Sequence, residues 1–169
     1  LIDILVGAAT DGFYYDVAYL YLGRERGVPA VRSRLYGRDC SAGGCNPPLM
    51  PNLAGLGDTD GDGLSDFLLA IENMVLLING QPNSELPDAA TAMLHAIARF
   101  DADSTQQTVS PAGDINGDGL RDMLIGNPLA AISHVFVVFG RPPEDPFPTP
   151  PTPYDLFANA DFSFREIIG

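Results

Sequence analysis

Residues 58–70 read DTDGDGLSDFLLA, with Asp58, Asp60, Asp62 and Asp66 inside nine positions. Carboxylates at that density repel one another, and the two glycines between them give the backbone freedom that folding must remove. Something has to offset both costs. Nearly the same string returns at 114–126 as DINGDGLRDMLIG, so that Asp114 and Asp122 each stand 56 residues after Asp58 and Asp66. A third, partial copy opens the chain: Asp3-Ile4-Leu5-Val6-Gly7 repeats the pattern of Asp66 to Ala70 and of Asp122 to Gly126.

Each copy goes on alike. A second apolar run follows at Val17–Gly23, Met74–Gly80 and His134–Gly140. Short β-branched and aromatic runs between Gly, Asn and Pro clusters read as buried strands. Val31–Tyr36 and Phe162–Ile168 supply candidate outer strands, whereas residues 86–100, LPDAATAMLHAIARF, read either as helix or as a short helix leading into a strand. A period near 60 with about four strands per copy predicts an all-β protein of antiparallel β-propeller blades. Roughly three blades fit, with approximate repeats at 1–48, 49–104 and 105–169. Because propellers usually close with about four to eight blades, the expectation is a partial propeller, either a piece of a longer chain or a unit completed between copies.

Within the first acidic string, side-chain oxygens fall at positions one, three, five and nine (Asp58, Asp60, Asp62, Asp66), and Leu64 at position seven offers its carbonyl. Odd spacing in a tight turn aims these groups at one centre, with Gly63 at the bend. The second string offers Asp114, Asn116, Asp118, the Leu120 carbonyl and Asp122, with Gly119 at the bend. Calcium accepts about six to eight oxygens in flexible geometry, whereas magnesium demands a stricter octahedron. Two Ca2+ sites are therefore expected. An EF-hand loop would need an acid at position twelve, and Leu69 and Ile125 stand there.

These strings resemble the FG-GAP repeat of integrin-α-type β-propellers and their secreted bacterial relatives. Thr108 to Gly119 and Gly126-Asn127-Pro128 carry the likeness, as do Asn52 to Asp58 and VFVVFGRPP. The naming Phe-Gly pair is absent, with Leu49-Met50 and Thr105-Gln106 in its place, and the Gly-Ala-Pro ending becomes Gly7-Ala8-Ala9, Ala70-Ile71-Glu72 and Gly126-Asn127-Pro128. The resemblance implies a calcium-stiffened propeller, secreted or on the cell surface, used for adhesion or for binding a protein or glycan ligand. Two alternatives stand beside it: a structural subunit of a filament or layer, built from copies of itself, and an accessory propeller of an exported glycan- or lipid-active enzyme.

Bulk composition agrees with such partners. Acidic residues number 22 against 9 basic ones, all of them arginine, and the net charge is −13. A field of that sign repels a nucleic-acid backbone. No segment approaches the ~18 apolar residues of a membrane helix. Cys40 and Cys45, in DCSAGGCNPP, read as a small disulfide ring in an oxidising compartment, with two free thiols as the alternative. A ring that short contributes about 2 kcal/mol. No catalytic set is recognisable: there is no Gly-x-Ser-x-Gly, no His-Glu-x-x-His and no phosphate loop, and His95 and His134 lie in apolar segments. The seven prolines of residues 141–153 predict a stiff loop between outer strands.

Overall fold

The computed structural model describes residues 4–9, 16–22, 30–36, 52–71, 74–80, 96–101, 107–127, 133–150 and 152–165. They form eleven strands in three antiparallel sheets. Strands β1 (Ile4–Ala9), β2 (Asp16–Leu22) and β3 (Ala30–Tyr36) pair in chain order. The second sheet is β4 (Asn52–Gly57), β5 (Asp66–Ile71), β6 (Met74–Ile78) and β7 (Ala96–Asp101), again in order. The third is β8 (Thr108–Gly113), β9 (Asp122–Asn127), β10 (His134–Val138) and β11 (Phe162–Arg165). The chain is almost wholly β, and these chain-order meanders have the form of propeller blades.

Apolar alternation explains how the sheets stack. On β4 to β7, Ala54, Leu56, Leu68, Ala70, Val75, Leu77 and Phe100 share one face by register and are all buried. Against them lie Val109, Met123, Ile125, Phe136 and Val138 of the third sheet, and the two sets make one hydrophobic core. The central strands β5 and β9 are apolar on both faces, and on β5 both faces are buried, with Leu68 and Leu69 pointing to opposite sides. Side chains from either sheet interdigitate there, and each fully buried Leu, Ile or Phe contributes roughly 1.5–3 kcal/mol by leaving water.

The proline-rich stretch is a loop joining β10 to β11, as its composition predicts, but it also contributes to packing. Its Phe147 meets Phe100 of β7 edge to face at 5.7 Å, and Tyr154 meets Phe100 at 5.6 Å. Arg141 lies over both loop rings, 5.3 Å from the Phe147 centroid and 5.5 Å from that of Tyr154, and donates to the tyrosine hydroxyl at 3.0 Å. One turn of helix, α1 (Leu156–Asn159), follows and leads into β11. Asp155 caps it by accepting from the N–H groups of Phe157 and Ala158.

Residues 96–100 of the ambiguous segment form strand, within β7 and paired to β6. Residues 86–95 lie outside the described residues, as do Cys40, Cys45 and His95. No described helix is long and apolar enough to cross a membrane.

Candidate metal centre

Both acidic strings occupy the hairpin between the first two strands of a four-stranded sheet. Strand β4 ends in a bulge at Gly55/Gly57, and β8 in the same bulge at Pro111/Gly113, which swings the chain out of the sheet before it returns. The return needs a left-handed residue. Gly63 has φ +87° and Gly119 φ +94°, a region costly for any residue with a β-carbon.

Within the first loop the carboxylates hold the turn by accepting from its amides. Asp58 accepts from Gly61 N at 2.7 Å on one oxygen and from Gly63 N at 3.0 Å on the other. Asp60 accepts from Asp62 N at 3.1 Å, and Asp62 from Leu64 N at 2.7 Å. The second loop repeats the scheme: Asp114 accepts from Gly117 N at 2.7 Å and Gly119 N at 3.0 Å, Asn116 from Asp118 N at 3.0 Å, and Asp118 from Leu120 N at 2.7 Å.

The ninth-position aspartates do something different. Asp66 is buried and accepts from Thr59 N at 2.9 Å, from the Thr59 hydroxyl, and from Gly80 N at 2.9 Å. Asp122 is buried too, taking the Ile115 amide on one oxygen and Gly140 N at 3.0 Å on the other. Each therefore ties the start of its loop to the end of the strand two elements on. The role was not apparent from sequence, although the glycine that closes each second apolar run was its signal. Gly140 has no room for a side chain: a β-carbon there would lie 2.8 Å from both the Leu120 β-carbon and the Thr59 carbonyl oxygen.

In the first loop, Asp58, Asp60 and Asp66 bring a carboxylate oxygen each to within 4.8 Å of one another. Among the described residues they are the acidic trio so gathered. Asp62 stays exposed at the loop tip, and position three of the second loop is the neutral Asn116, whose amide donates to Asp118 at 2.8 Å. Burial pushes the Asp60 carboxyl above its ordinary value, with the charges of Asp62 and Asp58 adding to the shift. Burial also raises Asp66, against the hydrogen bonds from Thr59 and Gly80. Among the described residues the ion pair present is Arg141–Asp145, at 3.1 Å.

The donor set fits a hard divalent cation. An ionised carboxylate has about four lone-pair positions, so the amide bonds leave each aspartate able to ligate. All-oxygen donors with no Cys or His suit calcium or magnesium rather than zinc.

A junction that sequence reasoning missed joins the two sheets at the first loop. The Arg121 amide donates to the Asp58 carbonyl at 2.9 Å, and the Arg141 amide to the Thr59 carbonyl at 2.9 Å. Both donors belong to the third sheet or its loops, and Gly57 makes space, since a β-carbon there would stand 3.1 Å from Arg121 Cγ. The loop that gathers the carboxylates is thus also the seam between sheets.

Residues 107–138, which hold the second loop with β8, β9 and β10, match the FG-GAP repeat family. No curated protein and no solved structure matches the chain significantly.

Proposed function

We propose, from the FG-GAP match and the loop geometry together, that this chain is a calcium-stabilised β-propeller module that binds a protein or glycan ligand outside the cell. The observation that carries the calcium reading is the convergence of Asp58, Asp60 and Asp66, one carboxylate oxygen from each within 4.8 Å of the others. The ion would be held by these three with Asp62 and the Leu64 carbonyl, and in the second loop by Asp114, Asn116, Asp118, the Leu120 carbonyl and Asp122. Calcium supplies the charge that the carboxylates lack, and the chain's own amides fix the turn around it. The role is structural, and no catalytic step is assigned to the chain.

Native mass spectrometry in calcium and again in chelator tests this. Two bound ions are expected, falling to one in Asp58→Asn and to one in Asp114→Asn; a spectrum with none overturns the assignment. Binding of the calcium-loaded protein to immobilised matrix proteins and glycans, lost in chelator, tests the adhesive role.

A second reading, a subunit that assembles with copies of itself, is favoured by the outer face of the third sheet. On that face Val135, Phe162 and Phe164 are exposed, beside the exposed Thr108 and Ser110.

A further inference from the structure

The sequence holds two Asn-Gly pairs, Asn79-Gly80 and Asn116-Gly117, and both lie among the described residues. Asparagine before glycine is the least hindered arrangement for one self-contained reaction. The glycine backbone nitrogen gives its proton to a solvent base and bonds to the asparagine Cγ. The Cγ–Nδ2 bond breaks, ammonia leaves with a proton taken from water, and a five-membered imide remains. Water then opens the imide at one of its two carbonyls. Opening at Cγ gives aspartate, and opening at the main-chain carbonyl gives isoaspartate, with the backbone rerouted through the side chain. No oxidant, metal or enzyme takes part, which is one reason asparagine counts among the thermolabile residues.

The two pairs differ in what must move before the ring can close. Gly80 is enclosed: a β-carbon there would lie 2.7 Å from the Ser65 carbonyl oxygen and 2.8 Å from the Leu64 β-carbon. Its amide donates to Asp66, itself buried, at 2.9 Å, and the Asn79 side-chain oxygen is buried as well. Closure there has to break the Asp66 tie and part the packed ends of β5 and β6.

Asn116 and Gly117 are both exposed. A β-carbon on Gly117 would meet nothing within 4 Å, so the imide has room. Asn116 accepts from Asp118 N at 3.0 Å and donates to the Asp118 carboxylate at 2.8 Å, bonds that fold its side chain back toward the peptide containing the Gly117 nitrogen. The bond restraining that nitrogen runs to Asp114 at 2.7 Å, and Asp114 is exposed too. Solvent-exposed hydrogen bonds in a loop open at far lower free energy than bonds inside a packed sheet.

We infer that Asn116 is a site of spontaneous deamidation in the folded chain, and that Asn79, in the same dipeptide, is shielded from it. The two products alter the second loop in opposite ways. Asn116 stands at position three, where the first loop has Asp60. The aspartate product therefore gives the second loop the four carboxylates of the first. Isoaspartate instead adds a methylene to the main chain and breaks the odd spacing of the donors. The first loop, which has no asparagine, escapes the conversion. The reaction needs no metal, so it proceeds whether or not the loops bind calcium.

The test is peptide mapping of the full chain after incubation in chelator, in warm and mildly alkaline buffer, with intact mass followed in parallel and circular dichroism confirming the fold. The expected result is the mass gain of an amide-to-acid conversion, located at Asn116. It should proceed roughly tenfold faster or more than at Asn79, the ratio that about 1.4 kcal/mol of opening free energy gives. In guanidinium chloride, where neither pair is shielded, the two should convert at comparable rates. Asn116→Gln, whose longer side chain closes an imide far more slowly, should remove the early mass gain and leave the fold intact. A folded chain that converts Asn79 as fast as Asn116, or keeps Asn116 intact over the time that converts it in guanidinium chloride, overturns the inference. So does a difference between the two sites that persists in guanidinium chloride, since the structure would then not be its cause.

Discussion

The Arg121 amide reaches the Asp58 carbonyl at 2.9 Å, across the boundary between two sheets and at the first residue of the carboxylate-bearing loop. The turn that would hold the ion and the seam that joins the sheets are therefore one structure. Whatever orders the turn also orders the seam.

Removal of calcium should accordingly loosen the contact between sheets as well as the loops. At a free calcium concentration about a hundred times the dissociation constant, one site contributes about 2.7 kcal/mol. Chelator should lower the thermal midpoint by several degrees in calorimetry. It should also speed amide exchange at Arg121 and Arg141, whose partners lie in the first loop.

Asp66 and Asp62 should differ even without metal. Replacing buried Asp66 by Ala leaves the Thr59 and Gly80 donors without their acceptor, a loss of roughly 1–3 kcal/mol. Asp62→Ala, at an exposed loop tip, should stay within about 0.5 kcal/mol. Urea denaturation in chelator separates the two.

Gly140→Ala and Gly55→Ala form a second contrast. A β-carbon at Gly140 would stand 2.8 Å from a carbonyl oxygen across the seam, whereas one at Gly55 would meet nothing within 4 Å. Overpacking at Gly140 should cost about 1–3 kcal/mol. Gly55→Ala should be neutral or slightly stabilising, because it restricts the unfolded chain. Denaturant midpoints decide between them.

Stability should depend on pH in opposite senses with and without metal. In chelator the folded pKa values of Asp60 and Asp66 lie above their unfolded values. Their contribution to stability is therefore fully present below the unfolded value and lost as pH rises through the folded one. Mild acidification of the apo protein should relieve that strain. Calcium reverses the sign, since bound carboxylates resist protonation: the stabilisation it gives should shrink as pH falls through the carboxylate range. Thermal midpoints in matched buffers, with calcium and with chelator, should converge towards acid pH.

The repeat was legible because it is written in residue types. Asp66-Phe67-Leu68-Leu69 and Asp122-Met123-Leu124-Ile125 announce strands β5 and β9, and Gly63 and Gly119 mark the bends at positive φ. Odd spacing named Asp58, Asp60, Asp62 and Asp66, of which the structure gathers Asp58, Asp60 and Asp66 and leaves Asp62 exposed at the tip. The seam was not legible: the Arg121 and Arg141 contacts use backbone N–H groups, which every residue except proline possesses, so no side chain betrays them. Helix α1 escaped notice for a related reason, since one turn held by the Asp155 cap has no room to show a 3.6-residue period. The packing role of Phe147, embedded among prolines, was not legible because its partner Phe100 lies far away along the chain.

That last contact bears on the order in which the chain can fold as it leaves the ribosome. Phe100 closes the outer edge of the second sheet, yet the rings that shield it, Phe147 and Tyr154, are translated some fifty residues later. Until they emerge, the nascent chain presents an uncapped aromatic edge to its surroundings. The proline-rich segment, translated last among these parts, acts as the latch that ends the exposure.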